Sequence, residues 1–350
     1  MHLDNNIINS FSGVTLPKVS VLTFVNNSFT EFSNNIIPAI TVLDVSRHNL
    51  TSFTNNSLDS VTDIFMDVNQ LTEFNGQSYP KLQTLELRNN LLTAFKDNKL
   101  PSLVSLFLNV NRNLKTFTNN TFGSLTTIDA GTANLENIDE ILAIPTLTTL
   151  SVDSNALKAF SSVTNNKLET LELQYNSINN FSSNSMSSLK LLNIGHQIGG
   201  ITSFADNKFP SLRVLDAGYN GLTSFAASND VKSLVTLNLT FNSLPSFSAT
   251  LSNLQYLDLS SNQLTTFDCA PYKVLSELAL KKNPQLSTVT NIPRGIARID
   301  MSNTVVKNFT SNELTNLTQL SINNAQVTTF TSNILPSVVT LELSNNIIDS

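Results

Sequence analysis

Apolar residues return along this chain with two spacings at once, a short alternation nested inside a long repeat. Leu257 to Phe267 reads LDLSSNQLTTF, LNLTFNSLPSF begins twenty residues earlier, and LELSNNIIDS begins eighty-four residues later. Let the first Leu of LxxLxLxxNxLxxF be position 1. It falls at Val19, Ile40, Val61, Leu82, Leu103, Leu125, Leu147, Leu168, Leu189, Leu212, Leu234, Leu254, Leu275, Ile296, Leu317 and Val338. That makes sixteen coils spaced 20 to 23 residues apart, the last cut short, and a partial coil from Leu3 to Phe11 precedes them. Alternation at positions 4 and 6, as at Leu257 and Leu259, predicts a short strand with one face inward. Neighbouring coils would then stack their strands ~4.8 Å apart in a parallel sheet.

Position 9 is Asn in eleven coils, where its amide can serve the buried backbone as the chain bends away. His48, Ala133, Gln197, Thr304 and Ala325 take its place elsewhere. His48 reads as a hydrogen-bonding substitute, and the two alanines as weak points in the ladder. Position 14 is Phe in thirteen of fifteen complete coils, with Ile138 and Val289 as exceptions, which predicts a continuous aromatic spine. A second Asn often follows three residues later, as at Asn35, Asn98 and Asn207. Only about seven residues remain for the far side of each coil. They suit turns, extended pieces and 3₁₀ segments better than a regular helix.

The pattern LxxLxLxxNxL, repeated in register over essentially all 350 residues, resembles that of the leucine-rich-repeat family. The resemblance implies an α/β-class solenoid dominated by β. Its expected form is a right-handed leucine-rich-repeat superhelix with a parallel concave sheet and a turn and 3₁₀ convex side. No linker interrupts residues 1–350, which read as a single domain. Both ends fall within a coil and neither shows the polar cap that terminal repeats need, as expected of an excerpt.

Composition narrows the function. The chain holds 48 Asn, 43 Ser and 38 Thr, with a net charge of −6 and charged residues at 13%. An acidic balance argues against nucleic acid as a partner. No apolar run is long enough for membrane insertion, and the N-terminus lacks the apolar core of a secretion signal. Cys269 stands alone, which excludes an intrachain disulfide. His2, His48 and His196 are scattered, no metal-ligand spacing occurs, and no phosphate-binding glycine loop is present. No enzyme and no cofactor is expected. Eight N-glycosylation sequons occur, among them Asn26, Asn55 and Asn238. So many Asn, Ser and Thr yield that number by chance, and N-glycans remain only possible additions.

Two features rise above the scaffold. Position 5, pointing out of the sheet, is acidic in alternate coils (Asp44, Glu86, Asp129, Glu172, Asp216, Asp258, Asp300, Glu342) and uncharged in the others. This serves solubility, with like charges spaced ~10 Å apart, or it suits a basic partner. Position 8 carries Tyr175, His196, Tyr219 and Phe241 in four consecutive coils, and Tyr256 extends the stripe at position 3 of the next. Exposed adjacent aromatics suit an interface centre, with Asp216, Asp258 and Asn238 as its polar rim. The same rings could instead pack on one another and stiffen the edge. Phe65 and Phe107 form a candidate second apolar patch.

The functional expectation is a non-catalytic scaffold binding a protein or peptide on its concave face, at the cell surface or outside the cell. The family resemblance supplies the protein partner. Alternatives are the sensing ectodomain of a receptor kinase and a structural or adhesive surface array.

Overall fold

The structure, a computed structural model, describes residues 1–225 and 230–349. The repeat runs on without interruption, yet the chain divides into two compact parts, Met1–Leu157 and Lys158–Ser350. The first part holds seven three-residue parallel strands on one sheet face, from Val21–Thr23 to Thr149–Ser151. Nine such strands, from Thr170–Glu172 to Thr340–Glu342, make the equivalent face of the second.

Register follows the sequence repeat position for position. Leu85 pairs with Leu106 in the first part, and Leu192 pairs with Leu215 in the second. The middle residue of each strand, position 4, is buried in nearly every coil, while positions 3 and 5 are half-buried and face outward. The inward row of Leu and Ile therefore forms the core, as the alternation predicts.

The position 9 amides join successive coils. Asn262 donates to the carbonyls of Leu259 (3.0 Å) and Leu239 (2.9 Å), one in its own coil and one in the coil before. Its Oδ1 accepts from the Leu244 amide at 3.0 Å. Each such bond satisfies backbone that would otherwise be buried without a partner. Gln197 reproduces all three contacts, reaching Leu173, Ile194 and Ile178. Thr304 keeps one, to Met301. His48 does not act as the expected substitute. The ring lies 4.1 Å from that of Phe29, and neither ring nitrogen has a hydrogen-bond partner. The carbonyls of Phe24 and Asn27 favour a proton on the ring without reaching bonding geometry, and burial outweighs them, pulling the imidazole below its ordinary pKa.

Position 14 phenylalanines stack across coils, but not as one spine. In the first part Phe11, Phe32, Phe53, Phe74, Phe95 and Phe117 follow one another with centroids 5.5–6.0 Å apart. Ile138 ends that run. In the second part the run Phe160 to Phe267 stops at Val289, and Phe309 and Phe330 form a separate pair. An aliphatic side chain offers no ring face, so each exception breaks the series. Around these rings the chain is extended, one of the forms expected beyond the strand. Phe53 sits in the strand Ser52–Thr54, paired in register with Glu31–Ser33. Position 17 amides enforce that extension, as when Asn98 donates to the Phe74 carbonyl and to Asn120 Oδ1. The one helix among the described residues is the four-residue Asp139–Leu142, in the coil where Ile138 replaces Phe.

Most of the described coils turn twice through left-handed backbone, the coils of Ile138, Phe247 and Phe267 only once. One turn lies two residues beyond position 14, where only Gly, Asn, Asp and Ser have positive φ, from Gly13 to Ser332. Those are the residues that tolerate it. The other turn is position 8, positive in all sixteen coils at 51° to 63°.

Candidate functional site

The aromatic stripe and its polar rim lie in the part Lys158–Ser350. Tyr175, His196, Tyr219 and Phe241 occupy the position 8 turn at φ between 52° and 57°. Bulky side chains resist this conformation, at a cost of about 1–2 kcal/mol each. Elsewhere the same turn carries Asn in five coils, and Arg47, Val68, Val110, Thr132, Ser154, Ser261 and Lys282 in the other seven. What sets the four apart is that rings stand there in consecutive coils.

The rings stack in sequence. Centroid separations are 4.7 Å for Tyr175–His196, 4.0 Å for His196–Tyr219 and 4.3 Å for Tyr219–Phe241, with interplanar angles of 16° to 19°. This spacing follows from strands ~4.8 Å apart, each presenting a ring at the same register. Each stacked pair contributes ~0.5–1.5 kcal/mol beyond its buried area, enough to offset part of the backbone cost. Stacking does not hide the rings, since Tyr175 is 52% exposed, Tyr219 42% and Phe241 43%. Because neighbours cover the inner faces, the pile presents ring edges and phenol hydroxyls to solvent. Self-packing and exposure are therefore both present.

Tyr256 does not join the pile. It lies at position 3 on the sheet face, paired in register with Thr236 and Glu277, and makes no ring contact with the other four. Burial, then the carboxylates of Asp258, Glu277 and Asp216, push its phenol pKa up.

The acidic and amide residues of position 5 have a backbone task that the sequence reading omitted. Asp216 Oδ1 accepts from the Gly218 amide at 2.9 Å, Asn238 Oδ1 from Thr240 at 3.0 Å, and Asp258 Oδ1 from Ser260 at 2.8 Å. Asn193 makes the same bond to Gly195. Each closes the turn that leads into position 8. Asn238 also donates to Asp216 at 3.1 Å, placing an amide between neighbouring carboxylates. That nitrogen is the atom to which a glycan at the Asn238 sequon would be joined. Position 7 glycines keep this strip compact. A Cβ on Gly218 would stand 3.1 Å from Thr240 Cγ2 and 3.2 Å from Asn238 Nδ2.

In Met1–Leu157 the second aromatic patch is divided. Phe65 and Phe107 flank Glu86 in register, and the Arg88 guanidinium lies 4.1 Å from the Phe107 ring centre. Arg88 also pairs with Asp67 at 3.1 Å and with Glu86, so a charged cluster stands where an apolar surface was expected.

Among the described residues no group of three or more potential metal ligands comes together, and no helix is long and apolar enough to cross a membrane. Cys269 is buried, and burial pushes its thiol up to about 12, so it carries no thiolate at neutral pH.

No family model matches the sequence, and no curated protein matches it. Solved structures share its architecture. YopM from Yersinia enterocolitica is similar over 99% of this chain and 88% of its own, at 19% identity and a TM-score of 0.54. The leucine-rich-repeat protein LIC12759 of Leptospira interrogans is similar over 95% and 85%, at 20% identity and a TM-score of 0.54. The functional domain of InlJ from Listeria monocytogenes, which includes a cysteine ladder, is similar over 88% of this chain and 64% of its own, at 21% identity and a TM-score of 0.53. The fold is therefore a leucine-rich-repeat solenoid with a parallel sheet and almost no helix.

Proposed function

We propose that the sheet face of Lys158–Ser350 is a protein-binding surface, centred on Tyr175, His196, Tyr219 and Phe241 and rimmed by Asp216, Asn238 and Asp258. One observation carries the reading: four consecutive coils place stacked rings at a left-handed turn that bulky side chains resist, with Tyr175, Tyr219 and Phe241 exposed and His196 half-buried. Stacking returns part of the backbone cost, and a partner covering the exposed edges supplies the rest of the reason for them. Tyr256, on the sheet face and outside the pile, joins the surface from the sheet side. The protein acts by binding and not by catalysis, in keeping with a sheet face whose carboxylates close turns and neighbour amides. The low charge and the abundance of Asn, Ser and Thr, which resemble those of cell-surface and secreted leucine-rich-repeat proteins, support a location at the cell surface or outside the cell.

The test exploits the turn. Tyr219→Asn suits the backbone better than the native residue while deleting the ring. A photo-crosslinking residue at Tyr219, compared with one at Thr132, which holds the same turn position two coils before Tyr175, identifies proteins that contact the pile in the native host. Affinity for the recovered partner should fall by at least ~2 kcal/mol in Tyr219→Asn, with the melting temperature kept. If Tyr219→Asn binds as well as the native chain while Thr132→Arg abolishes binding, the rings only pack and the interface lies elsewhere.

A further inference from the structure

The position 5 row of Lys158–Ser350 is polar in every coil but one. Ala279 stands there, paired in register with Asp258 on one side and Asp300 on the other. Loss of a side chain at that point leaves a cavity of about 200 Å³, walled by Tyr256, Asp258, Glu277, Lys281, Arg298 and Asp300. Small-molecule sites commonly need ~300–1,000 Å³. The space here takes one side chain.

The charges around it do not balance. Arg298 Nη1 is held by Glu277 Oε1 at 3.0 Å. Lys281 Nζ reaches Asp300 Oδ2 only at 3.9 Å, a loose contact. Asp258 pairs with no cation among the described residues. Three carboxylates thus face two cations, and the uncompensated charge lies on the wall beside Tyr256. Burial, and after it the carboxylates of Asp258 and Glu277 in this wall and of Asp216 beyond it, raise the phenol pKa of Tyr256. A cation entering over Ala279 would lie between carboxylates ~5 Å to either side, against an aromatic wall suited to positive charge. The Ala279 methyl gives the aliphatic stem of a long basic side chain an apolar floor.

We infer that the dent over Ala279 is a socket for a single Lys or Arg side chain of the protein bound by this sheet face. The inference rests on the binding reading above and names the chemistry of its partner. Phe241 lies two coils before Ala279, or ~10 Å along the sheet, so one partner spans both.

The experiment needs no partner. The full chain, labelled at alanine methyls, is titrated with Nα-acetyl-lysine methylamide, Nα-acetyl-arginine methylamide, and the norleucine and glutamate counterparts. A cationic probe should shift the Ala279 methyl resonance with a saturating curve, at least about tenfold tighter than norleucine. Asp258→Asn should weaken that binding about tenfold, since the amide keeps the bond to Ser260 but not the charge. Ala279→Leu, which fills the cavity, should abolish it. Equal binding of norleucine, preferential binding of the glutamate probe, or persistence of the cationic curve in Ala279→Leu would each overturn the socket. None of those results touches the ring pile, whose own test turns on Tyr219. Melting curves show that each variant is folded, and if Ala279→Leu does not fold, Asp258→Asn decides.

Discussion

The part Lys158–Ser350 contains two piles of rings built on the same coils, and they follow opposite rules. Phe160, Phe181, Phe204, Phe225, Phe247 and Phe267 lie inside the coils, are at most 8% exposed, and stack at 5.4–6.4 Å. Tyr175, His196, Tyr219 and Phe241 lie outside on left-handed backbone and stack more closely, at 4.0–4.7 Å. The inner pile obeys the coil, since Phe fills core space and ends wherever Ile or Val intervenes. The outer pile occupies a turn that bulky side chains resist, and three of its four rings remain exposed. Repetition of a residue type marks scaffold in the first case. In the second, rings in consecutive coils on an exposed turn mark the surface.

The largest expected effect is on the inner pile. Phe181→Ala should cost ~3–5 kcal/mol, because Phe181 is fully buried between Phe160 and Phe204. Coils contact mainly their neighbours, so hydrogen exchange should rise first in the coils around Phe181. Unchanged exchange there would remove the distinction between the piles.

A ring in the wrong ladder gives the next effect. His48 fills an amide position without making its bonds, so His48→Asn should raise stability by about 1 kcal/mol. The pH dependence follows from the lowered folded-state pKa of His48. Its contribution to stability is complete above the unfolded value near 6.5 and is lost as pH falls through it toward the folded value. Chemical denaturation at pH 7.5 and at 5.5 should therefore show a larger drop for the native chain than for His48→Asn. Equal drops would mean that the buried ring titrates as it does unfolded.

For the outer pile the expected change in stability is under about 1 kcal/mol. Tyr219→Asn loses two stacked contacts and gains an easier backbone, and the two nearly cancel. A thermal melt that falls as far as that of Phe181→Ala would show the outer rings to be core in all but position. Smallest of all, Asp216→Asn should change stability by no more than about half a kcal/mol, since Asn193 and Asn238 already make the same bond with an amide. Equilibrium unfolding in urea resolves a larger shift.

The sequence made the fold legible because one periodicity fixed strand, core and register together. Leu192 faces Leu215 for the reason that both are position 4. The sequence predicts turns, extended pieces and 3₁₀ segments together on the far side, and cross-coil amides such as Asn98 select the extended form around the rings. Errors arose where one residue type admitted two geometries. His48 has a donor and an acceptor nitrogen, but its ring places neither where the amide bonds. At the candidate site, Tyr256 fell into the stripe by adjacency in coil number, while its position in the coil put it on the sheet. The left-handed turn itself had a readable sign, the five asparagines at position 8. The dent at Ala279 was visible only as the smallest member of an alternating series, and nothing in a string of letters showed the charges converging on it.

Equal positions pair with equal positions, and that has a consequence for how such a chain can change length. Deleting one coil between corresponding atoms, such as Leu215 to Leu237, would bring together surfaces that already match in strand, ring and amide. The scaffold would heal around the loss. The decorations would not, because dropping a single coil shifts the alternating carboxylates by one place, and only paired losses restore them. Inheritance by unequal exchange can therefore lengthen or shorten this protein freely, while the outer rings and the gap at Ala279, present once, are kept or discarded whole.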